Sequence, residues 1–181
     1  IPTVPKERRI RTIHIWQSAA AILFLLLASS VYLSTVGTKA ETDLLQQYIP
    51  IAEMRSLTLP DGTKVQLNSK STLLYPQEFT GDSRSVFLLG EANFKVKPDK
   101  KRPFIVKSND LQITALGTEF NVSAYPESQE IATTLISGSI RVDYNNLTTS
   151  VILHPNEQFA YNRNNKKYDL SNPDMDDVTA W

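Results

Sequence analysis

Beyond residue 53, apolar side chains recur at every second position in short runs, and clusters of turn-forming residues separate the runs. That spacing lays one face of each run on a core and predicts β-strands. In "MRSLTLPDGTKVQLN", Leu57 and Leu59 alternate, Pro60-Asp61-Gly62 turns the chain, and Val65 and Leu67 alternate again, which predicts a hairpin. Further strands are expected in "SVFLL", "NFKVK", "PFIVKS", "LQITAL", "EFNVSAY", "EIATTLIS", "SIRVDY", "TTSVILH" and "QFAYN". Turns are expected between them in "TGD", "KPDKKRP", "SND", "PESQ", "YNN", "HPNE" and "NRNNKK". No segment past Arg55 carries a helical period. The expected core includes Leu67, Phe87, Phe94, Phe104, Phe120, Val122 and Ile140.

A loose repeat runs through these strands. "LLGEANFKV", "ALGTEFNV" and "LISGSIRV" each give an apolar residue, a glycine and an alternating pair that ends in valine. Gly90, Gly117 and Gly138 lie 27 and 21 residues apart, and the glycine-to-valine distances drift through six, five and four residues. Identical solenoid coils would keep a fixed period. The expected fold is therefore all-β, a twisted, solenoid-like stack or a sandwich over residues 53–170, with each glycine at a bend or bulge.

The pattern differs at the other end. Between Arg11 and Lys39 lie 27 residues without a formal charge, "TIHIWQSAAAILFLLLASSVYLSTVGT". As a helix that run reaches roughly 40 Å, enough to cross a hydrocarbon core of about 30 Å. Trp16 and Tyr32 lie near its ends, where amphipathic rings favour the interface. A signal peptide is the rival reading, but the apolar run is longer than a usual signal core and no clean Ala-x-Ala site follows. Residues 12–38 thus read as a retained transmembrane helix. Charge orients it: the chain carries 19 basic and 19 acidic residues in all, yet residues 1–11 hold Lys6, Arg8, Arg9 and Arg11 against Glu7 alone, a net +3. That end is expected in the cytoplasm and everything past Lys39 outside it. Residues 39–52, "KAETDLLQQYIPIA", suit a linker of about one short helix, and residues 171–181 a second linker. The first residue is Ile1 and the last run is "DVTAW", which reads as a fragment of a longer protein.

Once the motifs are set in order, they look familiar. "LPDGTKVQLNSKSTLLYP", then "GDSR" and "GEA" within an alternating frame, then "RPFIVKS" and "ALGTEFNV", together resemble the periplasmic domain of FecR-type anti-sigma factors over about residues 53–162. The preceding span with its basic arm resembles that family's layout. The family's sigma-binding helices are absent apart from the basic tail of residues 1–11, and so is its C-terminal signalling subdomain, which residues 171–181 approach. The resemblance implies an inner-membrane relay. A loaded outer-membrane TonB-dependent transducer would contact the periplasmic domain, membrane proteases would act, and an extracytoplasmic-function sigma factor would be released. The alternative is a membrane-tethered β-domain for envelope binding or scaffolding.

Residue content argues against metabolic catalysis. There are two histidines, His14 and His154, and only His154 lies in the outer domain, ahead of Pro155 in a turn. A His154–Glu157 metal pair would lack further ligands at usable spacing. The chain has no cysteine, which removes thiol chemistry and disulfides. No phosphate-cradling glycine loop appears, and no cofactor or metal is expected. Lys95, Lys97, Lys100, Lys101 and Arg102 form a basic cluster without interleaved aromatics, which reads as a solvated hairpin loop, so no nucleic acid partner is expected. Asp61 and Gly62 serve a turn. Asp82, Arg84 and Glu91 are either a polar network or three solvated residues. Asp174, Asp176 and Asp177 read as part of a linker.

One candidate for chemistry remains. Gly117 interrupts the apparent strand "ITALGTEFNV" directly before Thr118. A β-bulge glycine followed by a strand threonine is the structural reading. The resemblance implies another: some members of that family cut themselves at a Gly-Thr bond here, by an N–O acyl shift in which the Thr118 hydroxyl attacks the Gly117 carbonyl.

Overall fold

The structure is a computed structural model, and it describes residues 7–36, 44–50 and 53–179. The chain divides into two units, residues 1–41 and 42–181. The first holds one helix, α1 (Glu7–Val36), in an alanine- and leucine-rich stretch without proline or glycine. Its described apolar side chains, among them Trp16, Phe24, Leu25 and Tyr32, are exposed. Among the described residues no helix is long and apolar enough to cross a membrane. Side chains of α1 are described at residues 16–17 and 19–32 only, so the span expected over 12–38 runs past them at both ends.

The second unit is all-β apart from one short helix. Its elements are β1 (Leu44–Tyr48), β2 (Arg55–Thr58), β3 (Lys64–Leu67), β4 (Thr72–Pro76), β5 (Arg84–Lys95), β6 (Phe104–Lys107) and β7 (Gln112–Ala115). They continue as β8 (Glu119–Ala124), β9 (Glu130–Ser137), β10 (Ile140–Tyr144), β11 (Thr149–Leu153), β12 (Gln158–Asn162), β13 (Tyr168–Ser171) and α2 (Met175–Thr179). All the described strands join one continuous sheet that curls over on itself.

Strand β5 is the spine. Its first half pairs with β4 and, in parallel, with β6, while its second half pairs with β3 and β8. One leaf of the sheet therefore reads β1-β4-β5-β6-β7-β10-β11, and the other β2-β3-β5-β8-β9-β12-β13. The inner faces meet in an aromatic core. Phe94 stacks on Phe120 at 5.4 Å between centroids and tilts against Phe104 of the opposite leaf at 5.9 Å. All three are fully buried, as are Leu67, Val122 and Ile140.

Phe87 corrects the expected core: it is 43% exposed. "SVFLL" and "NFKVK" are not two strands but parts of β5, and burial alternates along all of it. Positions of one strand share a face only when an even number apart, so Val86, Leu88 and Phe94 face in and Phe87 faces out. The linker expected as a short helix also differs, because Leu44–Tyr48 adds to β4 as an antiparallel strand. Leu44, Leu45 and Tyr48 have helix-like spacing, but the open edge of β4 offers five paired residues, and tertiary pairing overrides the local preference. The basic loop is not a hairpin. Residues 96–103 return the chain from the second leaf to the first, where β6 lies parallel to the start of β5. So short a parallel connection suffices because β5 itself has carried the chain across both leaves. β13 and α2 have no counterpart among the expected elements.

Candidate functional site: the Gly117–Thr118 corner

"ITALGTEFNV" is not one strand. β7 lies in the first leaf and β8 in the second, and Leu116-Gly117-Thr118 crosses between them. Gly90 lies at the point where β5 changes leaf, and Gly138 joins β9 of the second leaf to β10 of the first. The loose repeat thus marks three crossings of the curled sheet. Gly117 has φ +148° and Gly138 has φ +91°, where a Cβ is disfavoured. A Cβ on Gly117 would also stand 2.8 Å from the Pro98 Cα.

The corner is held from both sides. The Val96 N–H donates to the Thr118 carbonyl at 2.9 Å, and the Asp99 N–H donates to the Leu116 carbonyl at 3.0 Å. Thr118 itself is 7% exposed. Its hydroxyl oxygen is buried with no hydrogen-bond partner in the protein. Most buried polar atoms are paired, so an idle hydroxyl on the residue that follows a glycine stands out.

Segment 96–99 is anchored by a network that the sequence did not reveal. Arg84 is 1% exposed and its Nη1 meets the Asp61 carboxylate at 2.7 Å. The same nitrogen donates to the Lys97 carbonyl at 2.8 Å, and Nε donates to the Arg102 carbonyl at 2.9 Å. Thr63 completes the ring: its hydroxyl donates to Asp61 at 2.7 Å and accepts the Lys97 N–H at 3.1 Å. The guanidinium also lies 5.5 Å over the Phe104 ring, a favourable position for a cation on a π face. Asp61 neutralises the buried charge, and Nη1 and Nε are paired to carboxylate and backbone carbonyls, while Nη2 is buried without a hydrogen-bond partner in the protein.

The remaining candidates separate. Gly62 turns the chain at φ +88°, its N–H donating to the Leu59 carbonyl, but the adjacent Asp61 is also the counter-ion of Arg84. Asp82 is exposed, and Glu91 lies elsewhere, accepting from Asn68 and Asn121 at 2.9 Å each. Asp82, Arg84 and Glu91 therefore form no common network. The signal for Arg84 was its parity, two residues before Val86 on the core face of β5, where an arginine needs a buried counter-ion. In the basic cluster Lys95 pairs with Glu119 at 3.0 Å and Arg102 with Asp99 at 3.0 Å. His154 is exposed, and Glu157 accepts its backbone N–H at 2.8 Å, a turn contact rather than a ligand pair. Among the described residues no group of three metal-ligating side chains comes together.

The comparisons with known proteins agree with this architecture. A family profile described as "FecR protein" matches residues 49–141. Two crystal structures of a candidate anti-sigma factor from Parabacteroides distasonis ATCC 8503, at 2.50 and 1.65 Å resolution, superpose with TM-scores of 0.74 and 0.73. Both are 39% identical to this chain, covering 77% and 76% of it. The chain spans 64% of the length of those crystallised chains. No curated protein matches. The family match takes in half of the 181 residues, so the chain belongs to the FecR protein family.

Proposed function

We propose that this chain is the envelope portion of an anti-sigma regulator. The observation that carries the reading is the FecR match over 49–141 together with 39% identity to a candidate anti-sigma factor across 77% of the chain. In this reading residues 12–38 cross the inner membrane, the +3 arm of residues 1–11 stays in the cytoplasm, and the curled β-domain lies in the periplasm. The β-domain receives the signal of a loaded outer-membrane TonB-dependent transducer. Proteolysis in and near the membrane then frees an extracytoplasmic-function sigma factor. Capture of the parent protein from cell-envelope extracts tests this. Co-recovery of a sigma factor and of a TonB-dependent transducer is expected. Repeated captures that recover neither would favour a tethered scaffold instead.

A second reading concerns the corner, and the idle Thr118 hydroxyl favours it. Thr118 Oγ1 attacks the Gly117 carbonyl carbon, the peptide C–N bond breaks, and the hydroxyl proton passes to the released amine. An ester then joins Gly117 to Thr118 Oγ1. Water opens it to a Gly117 carboxylate and restores the hydroxyl. The two pieces stay together, because β7 and β8 are each paired to other strands. Mass spectrometry of freshly purified protein should show two fragments that co-elute, with Thr118→Ala intact and Thr118→Ser still cut. A single uncut mass, stable for days, would leave Gly117 as a sheet-crossing corner.

A further inference from the structure

The outer face of the second leaf carries a polar site that none of the preceding readings uses. Phe120 and Val122 of β8 point into the core, so Asn121 and Ser123 point out. Strand register sets Asn121 beside Thr134, Thr134 beside Gln158, and Ser123 beside Glu91. These five side chains line a cavity of about 370 Å³, walled by Pro173 and Val178 at the C-terminal helix α2. Beneath that wall Asn121 is only 5% exposed.

The chemistry of the cavity is one-sided. Asn121 spends its donors on the Glu91 carboxylate at 2.9 Å and on the Val178 carbonyl at 3.5 Å. That bond to a carboxylate fixes the orientation of the amide, because only its nitrogen can donate. Its oxygen, Oδ1, is buried and has no partner. Glu91 is held by two neutral amides, Asn68 and Asn121, and makes no ion pair among the described residues. Thr134 Oγ1 already accepts from Gln158 Nε2 at 2.8 Å. Among the described residues no lysine or arginine lines the cavity. What the site lacks is therefore a cation that donates hydrogen bonds in several directions.

We propose that this cavity is a guanidinium site that takes an arginine side chain presented by a partner polypeptide. A guanidinium offers five N–H donors in a rigid plane. One edge can serve Asn121 Oδ1 while its charge neutralises Glu91, and the Ser123 hydroxyl is placed to accept a further donor. Ammonium ions are more strongly hydrated and lack the planar fork, so arginine suits a half-enclosed site better than lysine. The inference does not depend on which protein carries the arginine.

Titration of the 15N-labelled chain with the blocked tripeptide acetyl-Ala-Arg-Ala-amide tests it. Saturable shifts are expected at the Asn121 side-chain amide, at Ser123 and in α2, with no saturable response to the uncharged citrulline tripeptide. Glu91→Gln should weaken binding about tenfold or more, as loss of one partner of a half-buried charge pair does. Because Glu91 also holds Asn68 and Asn121, a second variant is needed. Ala132→Leu fills the same face without touching Glu91 or Asn121, and should abolish binding in a folded protein. Equal binding of the citrulline peptide, or unchanged affinity in both variants, would overturn the proposal. Free L-arginine binding as tightly as the tripeptide would assign the site to a small molecule and overturn the peptide source.

Discussion

The methyl of Thr118 fills the space that a side chain at position 138 would need, its Cγ2 lying 2.6 Å from where a Cβ on Gly138 would stand. Two sheet crossings far apart in sequence are thereby locked together, one supplying the knob and the other the absence of a side chain. Gly138→Ala should cost about 1–3 kcal/mol, since it combines a positive φ with this clash. In a Thr118→Ala background the 2.6 Å contact is gone and the Cβ of residue 118 remains at 3.2 Å, so the second Ala should cost less. Urea denaturation of the four proteins measures the coupling, and strictly additive losses would contradict the contact.

Arg84 and Asp61 make the second long-range lock. Removing one partner of a buried pair leaves an uncompensated charge, so Arg84→Ala or Asp61→Ala should each cost about 3–5 kcal/mol. The double variant should cost less than the sum. Losses below about 1 kcal/mol, the range of surface pairs, would mean that the pair is open to water.

The parity of β5 separates its two phenylalanines. Phe94→Ala should destabilise by about 3–5 kcal/mol, and Phe120→Ala similarly, because each leaves a cavity in the stacked core. Phe87→Ala should cost less than about 1 kcal/mol, as befits a side chain on the outer face. Equal costs at Phe87 and Phe94 would mean that β5 is out of register.

Asp99 gives the corner an acid limit. The Lys101 backbone N–H, and after it the Arg102 side chain, hold its carboxyl below the ordinary 3.8. A lowered folded value means that the contribution is present above the unfolded pKa and is lost as pH falls through the folded one. The turn of residues 99–102 should therefore hold at neutral pH and loosen only below 3.8. NMR titration of the Lys101 and Arg102 amides should show a midpoint under that value, and a midpoint above it would contradict the bond geometry.

Strand existence was legible because one face of each strand packs on the core and the other meets solvent, so period two is written in the residues. Parity failed where both faces were apolar. In "SVFLL" Ser85 is the one polar residue on the outer face, and Phe87 and Leu89 beside it are as apolar as the inward Val86 and Leu88, so the register becomes plain only with Phe94 on the same uninterrupted strand. The β1 error has a different source: Leu44 and Tyr48 suit a helix locally, and pairing with β4 decides otherwise. Gly117 was conspicuous, but that it changes leaf depends on Pro98 and on segment 96–99. Arg84 with Asp61, and Asn121 beneath α2, are partners brought together by the closed sheet, 23 and 57 residues apart. No local pattern encodes such pairs.

In the proposed reading the chain regulates a sigma factor from the envelope. Transcription from a promoter of the partner sigma factor tests it most directly, read in cells with and without the gene and with and without the substrate of the transducer. Removing the protein should change the output and uncouple it from the substrate. Identical output in all four conditions would contradict it.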